Sequence, residues 1–274
     1  MRKVILHHHF FKNAGSTLIA SLAREMRNDF MEYHPSSDSK GIFGADDLAT
    51  LLNANQNLKA ISSHHLAGGD YNRHPSLRSD YWFFDFILVR HPLKRLMSMY
   101  NYYQSLGTSN HPIVSAAQTL SLVEFLNYLI RQHPNHAINP QVNALSRGAT
   151  MPPSGKHLEL AIERLVSCTV CGTVDHYHDA MIVAEYFVMP IFPNLQLHYS
   201  IVNASSACTG YDGSFESIEG LVGHNLYKTL VELNALDIEL CKAADDELTR
   251  RKLDIPHYTG LAESFSLRCN ALRN

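Results

Sequence analysis

The segment from Trp82 to Val89 constrains the fold more than any other part of the chain, because it is apolar throughout except at Asp85. A nearly continuous apolar run is typical of a strand that is covered on both faces, as in a parallel sheet between layers of helices. Pro92 follows closely and suits the first turn of a long helix, which we expect to run to about Leu106. The segment therefore predicts a strand–helix unit of an α/β fold.

Further strands are predicted on either side of this unit, and helices separate them along the chain. The additional strands are predicted at Val4–Phe11, Leu58–Ser63 and Cys168–Thr173. From about Gly223 to Lys252 the chain is predicted to be helical. Alternating strands and helices favour a mostly parallel sheet with right-handed crossovers. We therefore expect a single α/β domain over residues 1–274, with helices flanking the sheet and a largely helical C-terminal part.

Composition narrows the functional classes. The 274 residues are 45% hydrophobic and 18% charged, which is typical of a soluble globular protein. The net charge of −3 argues against nucleic-acid binding, since such proteins usually carry a basic excess. Five cysteines without a dense framework favour a reducing compartment. No apolar run approaches the roughly 20 residues of a membrane span, and none suits a signal peptide. We expect a cytoplasmic protein, although a luminal domain trimmed of its anchor would show the same pattern.

The turn after the first predicted strand carries residues that favour anion binding. A helix that begins there presents unpaired backbone N–H groups and the positive end of its dipole. The segment differs from the nucleotide-triphosphate loop G-x-x-x-x-G-K-[ST], because its lysine precedes the glycine. Taken alone, the pattern fits equally a helix start with a surface lysine. The candidate anion-binding residues are Lys12, Asn13, Ala14, Gly15, Ser16 and Thr17.

A second candidate site follows the apolar strand. Arg90 lies where that strand ends, at the carboxyl edge of the sheet, where open α/β sheets bind ligands. Ser98 lies in the helix that follows, so a guanidinium group and a hydroxyl could converge on one phosphate. Arginine suits this task because its planar fork pairs with phosphate through two hydrogen bonds. The alternative is a strand–helix junction with ordinary surface charges.

Together the two segments resemble the sulfotransferases that use 3′-phosphoadenosine-5′-phosphosulfate (PAPS), in particular the branch of the carbohydrate 2-O-sulfotransferases and their bacterial relatives. In that family a lysine-containing loop after the first strand binds the 5′-phosphosulfate, and Lys12 to Thr17 stand in its place. A segment R-x-P-x-x-R-x-x-S-x-Y binds the 3′-phosphate. Its positions are filled here by Arg90, Pro92, Arg95, Ser98 and Tyr100. The resemblance implies a P-loop-like fold with both segments facing one cleft.

The resemblance also implies an acceptor segment and a reaction. Asn139 and Gln141 match a family pattern N-x-Q-x-R-x-L near the acceptor, whereas Asn143 replaces its arginine. The implied reaction moves the sulfuryl group of PAPS to a hydroxyl acceptor, a saccharide or small alcohol, and releases 3′-phosphoadenosine 5′-phosphate (PAP). Lys12 would stabilise the charge that grows on the leaving phosphate. The implied reaction requires no metal ion.

The acceptor hydroxyl needs a base, and histidine is the usual choice near neutral pH. His64 and His65 close the second predicted strand, again at the carboxyl edge of the sheet, where several family members have the proposed base. Adjacent strand residues point to opposite faces, so one of the pair is expected to serve. We expect His65, with His64 as the alternative.

Two other functions stay open from the sequence. A kinase-like phosphotransferase on a related core would need a Ser or Thr directly after a Gly-Lys pair, and no such triplet occurs. A non-catalytic nucleotide-binding module would keep Arg90 and Ser98 but would need neither Lys12 nor the histidines. A metal site at His7 and His9 is disfavoured, because these two residues on one strand face are too few ligands.

Overall fold

The computed structural model describes residues 1–34, 43–66, 71–146, 153–201 and 212–272. Within these ranges five strands form one sheet, and every pair of neighbours is parallel. The strands in chain order are β1 (Arg2–His8), β2 (Phe30–Glu32), β3 (Ala60–Ser63), β4 (Tyr81–Val89) and β5 (Val170–Thr173). Their order across the sheet is β2-β3-β1-β4-β5. The predicted α/β class with a parallel sheet is confirmed.

Helices connect the strands and cover both faces of the sheet. They are α1 (Gly15–Met26), α2 (Ala45–Ala54), α3 (Pro92–Ser105), α4 (Pro112–Thr119), α5 (Leu122–Gln132), α6 (Pro134–Ala137), α7 (Pro140–Leu145), α8 (Gly155–Ser167), α9 (Tyr177–Val188), α10 (Phe215–Val222), α11 (His224–Leu233), α12 (Ala235–Leu253) and α13 (Tyr258–Ala271). After β5 every regular element in the described ranges is a helix, which confirms the helical C-terminal part. None of these helices has the length and apolar character needed to cross a membrane.

Apart from the exposed Trp82, β4 is buried on both faces because hydrophobic layers cover it from either side. Phe84, Phe86 and Leu88 pack in one core with residues of α1 and α9. Ile87 and Val89 pack in a second core with residues of α8 and α12. Alternate residues of a strand point to opposite faces, so a strand between two apolar layers has no position left for exposed polar side chains.

Asp85 interrupts the apolar run, and two partners compensate for its burial. Its Oδ1 atom lies 2.7 Å from Nε2 of His8 on β1, and its Oδ2 atom lies 3.1 Å from an Nη atom of Arg164 on α8. Burial opposes ionisation, but the two partners hold the pKa of Asp85 below its ordinary value. Because a buried carboxylate without partners is costly, β4 tolerates this residue only together with both.

Four strands lie within a few residues of their predicted limits, β1 with the largest difference at its end, and one strand was not predicted. β1 ends at His8 rather than Phe11, because Lys12 and Ala14 adopt φ angles of 67° and 59° and take the chain into a turn. β2 was not predicted, since a strand of three residues is too short to show an alternating pattern. Neither difference alters the sheet edge at which the candidate residues lie.

Candidate functional site

The turn between β1 and α1 is built on two residues with left-handed backbone, Lys12 and Ala14. Such conformations cost about 1 kcal/mol or more for residues with a Cβ atom, so the surroundings must hold them. Asn13 lies buried between them. Its Nδ2 atom donates hydrogen bonds of 3.0 Å to the carbonyl oxygen of Leu88 and 2.7 Å to Oε1 of Gln141. These bonds fix the turn against the end of β4.

Gly15, the first residue of α1, lets an imidazole ring lie directly on the first helical turn. A Cβ atom at this position would be 1.8 Å from Cδ2 and 2.1 Å from Nε2 of His9. The His9 ring is itself held in a stack, with centroid distances of 3.8 Å to His64 and 5.3 Å to His7. Only glycine allows this approach, so the start of α1 and the histidine stack depend on each other.

Arg90 joins the second predicted segment to the first. It follows β4 directly, and its Nη1 atom donates a hydrogen bond of 2.9 Å to the carbonyl oxygen of Lys12. The side chain of Gln141 accepts from the backbone N–H of Arg90 and donates to its carbonyl oxygen, both at 2.8 Å. Pro92 begins α3, and Ser98 lies in the second turn of that helix. The backbone at the end of β4 is thus held in place. The guanidinium group of Arg90 reaches the turn between β1 and α1, which we call the lysine turn.

A cavity of about 290 Å³ opens between the two segments, and we call it the first cavity. Apart from Asn13, every residue proposed for donor binding lines it. The lining residues are Lys12, Ala14, Gly15, Ser16, Thr17, Arg90 and Ser98, together with His9, Phe11, His64, Tyr102, Val174 and Ile201. The structure therefore brings the lysine turn and the arginine–serine pair to one cleft at the carboxyl edge of the sheet.

The charges in the first cavity suit an anion. Burial lowers the pKa of Lys12 to about 8, and the nearby charge of Arg90 acts in the same direction. The Nζ atom of Lys12 lies 4.1 Å from the centroid of the Tyr102 ring, which is a cation–π contact. Two cations held close together beside a helix N-terminus are stabilised when an anion binds between them.

His64 presents one ring nitrogen as a proton acceptor. Its Nδ1 atom lies 2.5 Å from the carbonyl oxygen of His9, so Nδ1 carries the hydrogen and donates it. The lone pair of the neutral ring is then on Nε2. Partial desolvation lowers the pKa of His64, which keeps the imidazole neutral near pH 7. A neutral imidazole with an available Nε2 can accept a proton from a hydroxyl group.

His65 lies differently from its neighbour. Its backbone N–H donates a hydrogen bond of 3.1 Å to Oγ of Ser63, and its half-buried side chain is not among the residues that line the first cavity within the described ranges. Of the two histidines that the sequence proposes as base, His64 is the one at the cleft. The expectation that favoured His65 finds no support in this geometry.

The sequence did not single out several lining residues. Tyr102 lies four residues after Ser98, on the same face of α3, so helical periodicity could have identified it. Val174 follows β5, and Ile201 lies in a later loop. Val174 belongs to a segment, Gly172 to His178, that resembles a later strand–helix junction of the PAPS-dependent family. Ile201 belongs to no motif, so no sequence signal marks it.

The predicted acceptor segment at the start of α7 belongs to a buried hydrogen-bond network. Asp237 on α12 accepts bonds from the backbone N–H groups of Gln141 and Val142, at 3.2 and 2.8 Å, and from Nε2 of Gln141 at 3.0 Å. Asn139 donates through Nδ2 to the carbonyl oxygen of Leu233 at 2.8 Å and accepts from the N–H of Asp237 at 3.0 Å. The side chain of Asn139 therefore fastens α7 to α12.

A second cavity of about 330 Å³ lies beside the first and shares three lining residues with it. The shared residues are His9, Phe11 and His64, and the others are Phe10, Arg95, Tyr103, Asn135, His136, Pro140 and Gln141. Gln141 thus reaches a cavity, whereas Asn139 lines neither of the two. Arg95, although it belongs to the same motif as Arg90 and Ser98, lines the second cavity and not the first.

No group of three or more His, Cys, Asp or Glu side chains within the described ranges has an arrangement that could hold a metal ion. No protein-family model matches the chain. A protein of Archaeoglobus fulgidus, described only as uncharacterized, is 26% identical over 251 residues, which cover 89% of this chain and 97% of that protein. The similarity extends over nearly the whole length of both proteins, but that description carries no activity.

Proposed function

We propose that the protein is a sulfotransferase that moves the sulfuryl group of PAPS to the hydroxyl group of an acceptor, a saccharide or another alcohol. The proposal rests on one observation above all: the lysine turn, Arg90 and Ser98 line the same cavity as the imidazole ring of His64. These are the segments in which the chain resembles the PAPS-dependent family.

PAPS carries anions at both ends of its adenosine, and the first cavity has donors for two anions. The 5′-phosphosulfate would lie at the N-terminus of α1, where Lys12 and the first amides of the helix can hold it. The 3′-phosphate would lie between Arg90 and Ser98. Arginine suits this place because its guanidinium binds phosphate through two parallel hydrogen bonds.

The reaction is an in-line transfer. The S–O bond to the 5′-phosphate oxygen breaks, a new S–O bond forms to the acceptor oxygen, and the hydroxyl proton passes to Nε2 of His64. The products are a sulfate ester and PAP. Negative charge grows on the leaving phosphate oxygen, and the ammonium group of Lys12 stabilises it. His64 serves as base because its Nδ1 hydrogen is occupied by the His9 carbonyl oxygen, which leaves Nε2 available.

Calorimetric titration with three nucleotides tests the donor site. We expect PAP to bind more tightly than ATP with magnesium, since the cavity is lined for two separate phosphates rather than a triphosphate chain. We also expect PAP to bind at least about tenfold more tightly than adenosine 5′-monophosphate, because a hydrogen bond to a charged group contributes about 1.5–3 kcal/mol.

The nucleotides also separate the competing functions. Tighter binding of ATP with magnesium would overturn the proposal in favour of a kinase-like phosphotransferase. Tight binding of PAP without transfer of labelled sulfuryl groups from PAPS to any hydroxyl acceptor would indicate a non-catalytic nucleotide-binding module. Equal affinity for PAP and adenosine 5′-monophosphate would contradict the role given to Arg90 and Ser98.

A further inference from the structure

Arg95 is a buried cation at the second cavity. Its side chain is 5% exposed and lines that cavity from α3. A hydrogen bond anchors it, from Nη2 to the carbonyl oxygen of His136. Its Nε atom is buried and has no hydrogen-bond partner among the residues that the structure describes. A guanidinium group stays protonated in proteins, so this side chain offers donors and a positive charge to whatever occupies the cavity.

No carboxylate among the described residues forms an ion pair with Arg95. Asp237 attracts it from a distance, but both oxygens of that carboxylate are engaged by Gln141 and Val142. Arg90 adds like charge nearby, and partial desolvation and the charge of Arg95 lower the pKa of His136 in the wall of the cavity. Burying a charge without a partner is costly, so an anion in the cavity would stabilise this arrangement.

We propose that Arg95 binds an anionic group of the acceptor, so that the substrate is a hydroxyl compound with a carboxylate or a comparable single anion. The inference rests on the proposed function and deepens it, because it assigns a chemical class to the acceptor. The second cavity binds the acceptor. The three residues that line both cavities, His9, Phe11 and His64, form a shared wall, and the hydroxyl group of the acceptor lies there beside His64.

The position of the shared wall supports this arrangement. His9, Phe11 and His64 line both cavities, so a molecule in the second cavity meets the proposed base at the boundary with the first. The rings of Phe11 and Tyr103 stack at a centroid distance of 5.6 Å and give the cavity an apolar face. An acceptor would thus have its body on aromatic rings, its hydroxyl group at His64 and its anion at Arg95.

Matched pairs of acceptors test the assignment in the presence of saturating PAP. The probes are glucuronate against glucose, and 4-hydroxyphenylacetate against 4-hydroxyphenylacetamide, each pair differing in the carboxylate. We expect the acid of at least one pair to bind the PAP complex about tenfold more tightly than its neutral partner, as measured by calorimetry. If no acid binds more tightly than its partner, the proposal is overturned.

Two substitutions at position 95 test whether the preference depends on this residue. Arg95→Gln should bring the ratio of acid to neutral affinity close to one, whereas Arg95→Lys should keep part of it. The exposed residue Arg131 on α5 provides the control, and Arg131→Gln should keep the wild-type ratio. The ratio is measured within each protein, so a partly unfolded preparation does not distort it. An unchanged ratio in Arg95→Gln would contradict the proposal, and the wild-type ratio decides alone if neither variant folds.

The donor titration keeps this inference separate from the proposed function. Failure of the wild-type protein to bind PAP would overturn the proposed function, whatever the acceptor pairs show. If folded Arg95→Gln lost PAP affinity as strongly as acid affinity, Arg95 would belong to the donor site and the inference would be wrong. We expect its PAP affinity to stay close to that of the wild type, because Arg95 does not line the first cavity.

Discussion

At position 15, the absence of a side chain decides how the start of α1 meets the histidine stack. The His9 ring occupies the space where a Cβ atom would lie, and the rings of His64 and His7 limit its movement. Any side chain at this position would have to displace His9, and the displacement would reach His64 through the stack.

Gly15→Ala should therefore disturb donor binding more than a surface glycine substitution does. We expect PAP affinity to fall about tenfold or more, since small displacements at a binding site have large effects. Overpacking should also cost about 1–3 kcal/mol of unfolding free energy. Calorimetry and urea denaturation measure the two effects.

Gly155→Ala is the matched control, because Gly155 is also the first residue of a helix. Apart from its chain neighbours and the backbone of its own helix, no atom of the described residues lies within 4 Å of the place that an added methyl group would occupy. Its PAP affinity should equal that of the wild type. Equal losses in the two variants would show that the close contact with His9 is unimportant.

The lowered pKa of Lys12 predicts how the affinity for PAP depends on pH. Burial, assisted by Arg90, lowers the pKa of Lys12 to about 8, so the unliganded protein loses this charge as the pH rises through that value. Under the proposed function PAP binds the ammonium form of Lys12, and the phosphates of PAP lose their second proton below this range, since their second pKa is about 6. We expect PAP affinity to decrease from about pH 7 to about pH 9.5, with proton uptake on binding.

Calorimetry in buffers of different ionisation enthalpy measures the proton uptake. Lys12→Arg is the comparison, because a guanidinium group stays charged over the whole range. Its affinity should vary little with pH. An equally steep decrease in Lys12→Arg would show that another group causes the pH dependence.

At the scale of elements, Asp237 fixes the position of α7 relative to α12. One carboxylate accepts three hydrogen bonds from Gln141 and Val142, and Gln141 in turn holds the backbone of Arg90 and the side chain of Asn13. The lysine turn and the end of β4 are therefore both connected, through Gln141, to α12. Loss of this carboxylate should lower the unfolding free energy and leave the residues of the first cavity less firmly held.

Asp237→Ala leaves buried donors without partners, so we expect it to lower the unfolding free energy by about 2–4 kcal/mol. Urea denaturation measures the change. Asp246, which is exposed on the same helix, provides the control, and Asp246→Ala should stay within about 0.5 kcal/mol of the wild type. Similar losses in the two variants would contradict the role of the network.

At the scale of the whole molecule, the sheet was largely predictable because β4 is covered on both faces. The apolar run from Trp82 to Val89 indicates that helices cover both faces of this strand. β2, in contrast, could not be predicted, because three residues at a sheet edge carry no recognisable period. The partners of Asp85 were equally hidden, since His8 and Arg164 are far from it in sequence.

The candidate site was likewise predictable only in part. Lys12 and Arg90 could be proposed because each follows a strand closely, and parallel strands end at one edge of the sheet. The position of His64 rather than His65 at the cleft depends on how the chain turns after β3, which no pattern specifies. Asn139 fastens α7 to α12 and Arg95 lines the second cavity, and both placements depend on contacts with distant elements. The sequence does not show such contacts, so the family resemblance placed Asn139 near the acceptor and Arg95 in the 3′-phosphate segment.

The shared wall of the two cavities has a consequence for how such a protein can diversify. Only His9, Phe11 and His64 touch both compartments among the described residues, and the remaining residues of each serve one compartment alone. Under the proposed function, substitutions around Arg95 and Tyr103 would change which acceptor is modified, while the residues that bind the nucleotide stay unchanged. New acceptor specificities could then be selected or engineered in the second cavity without changes to the first.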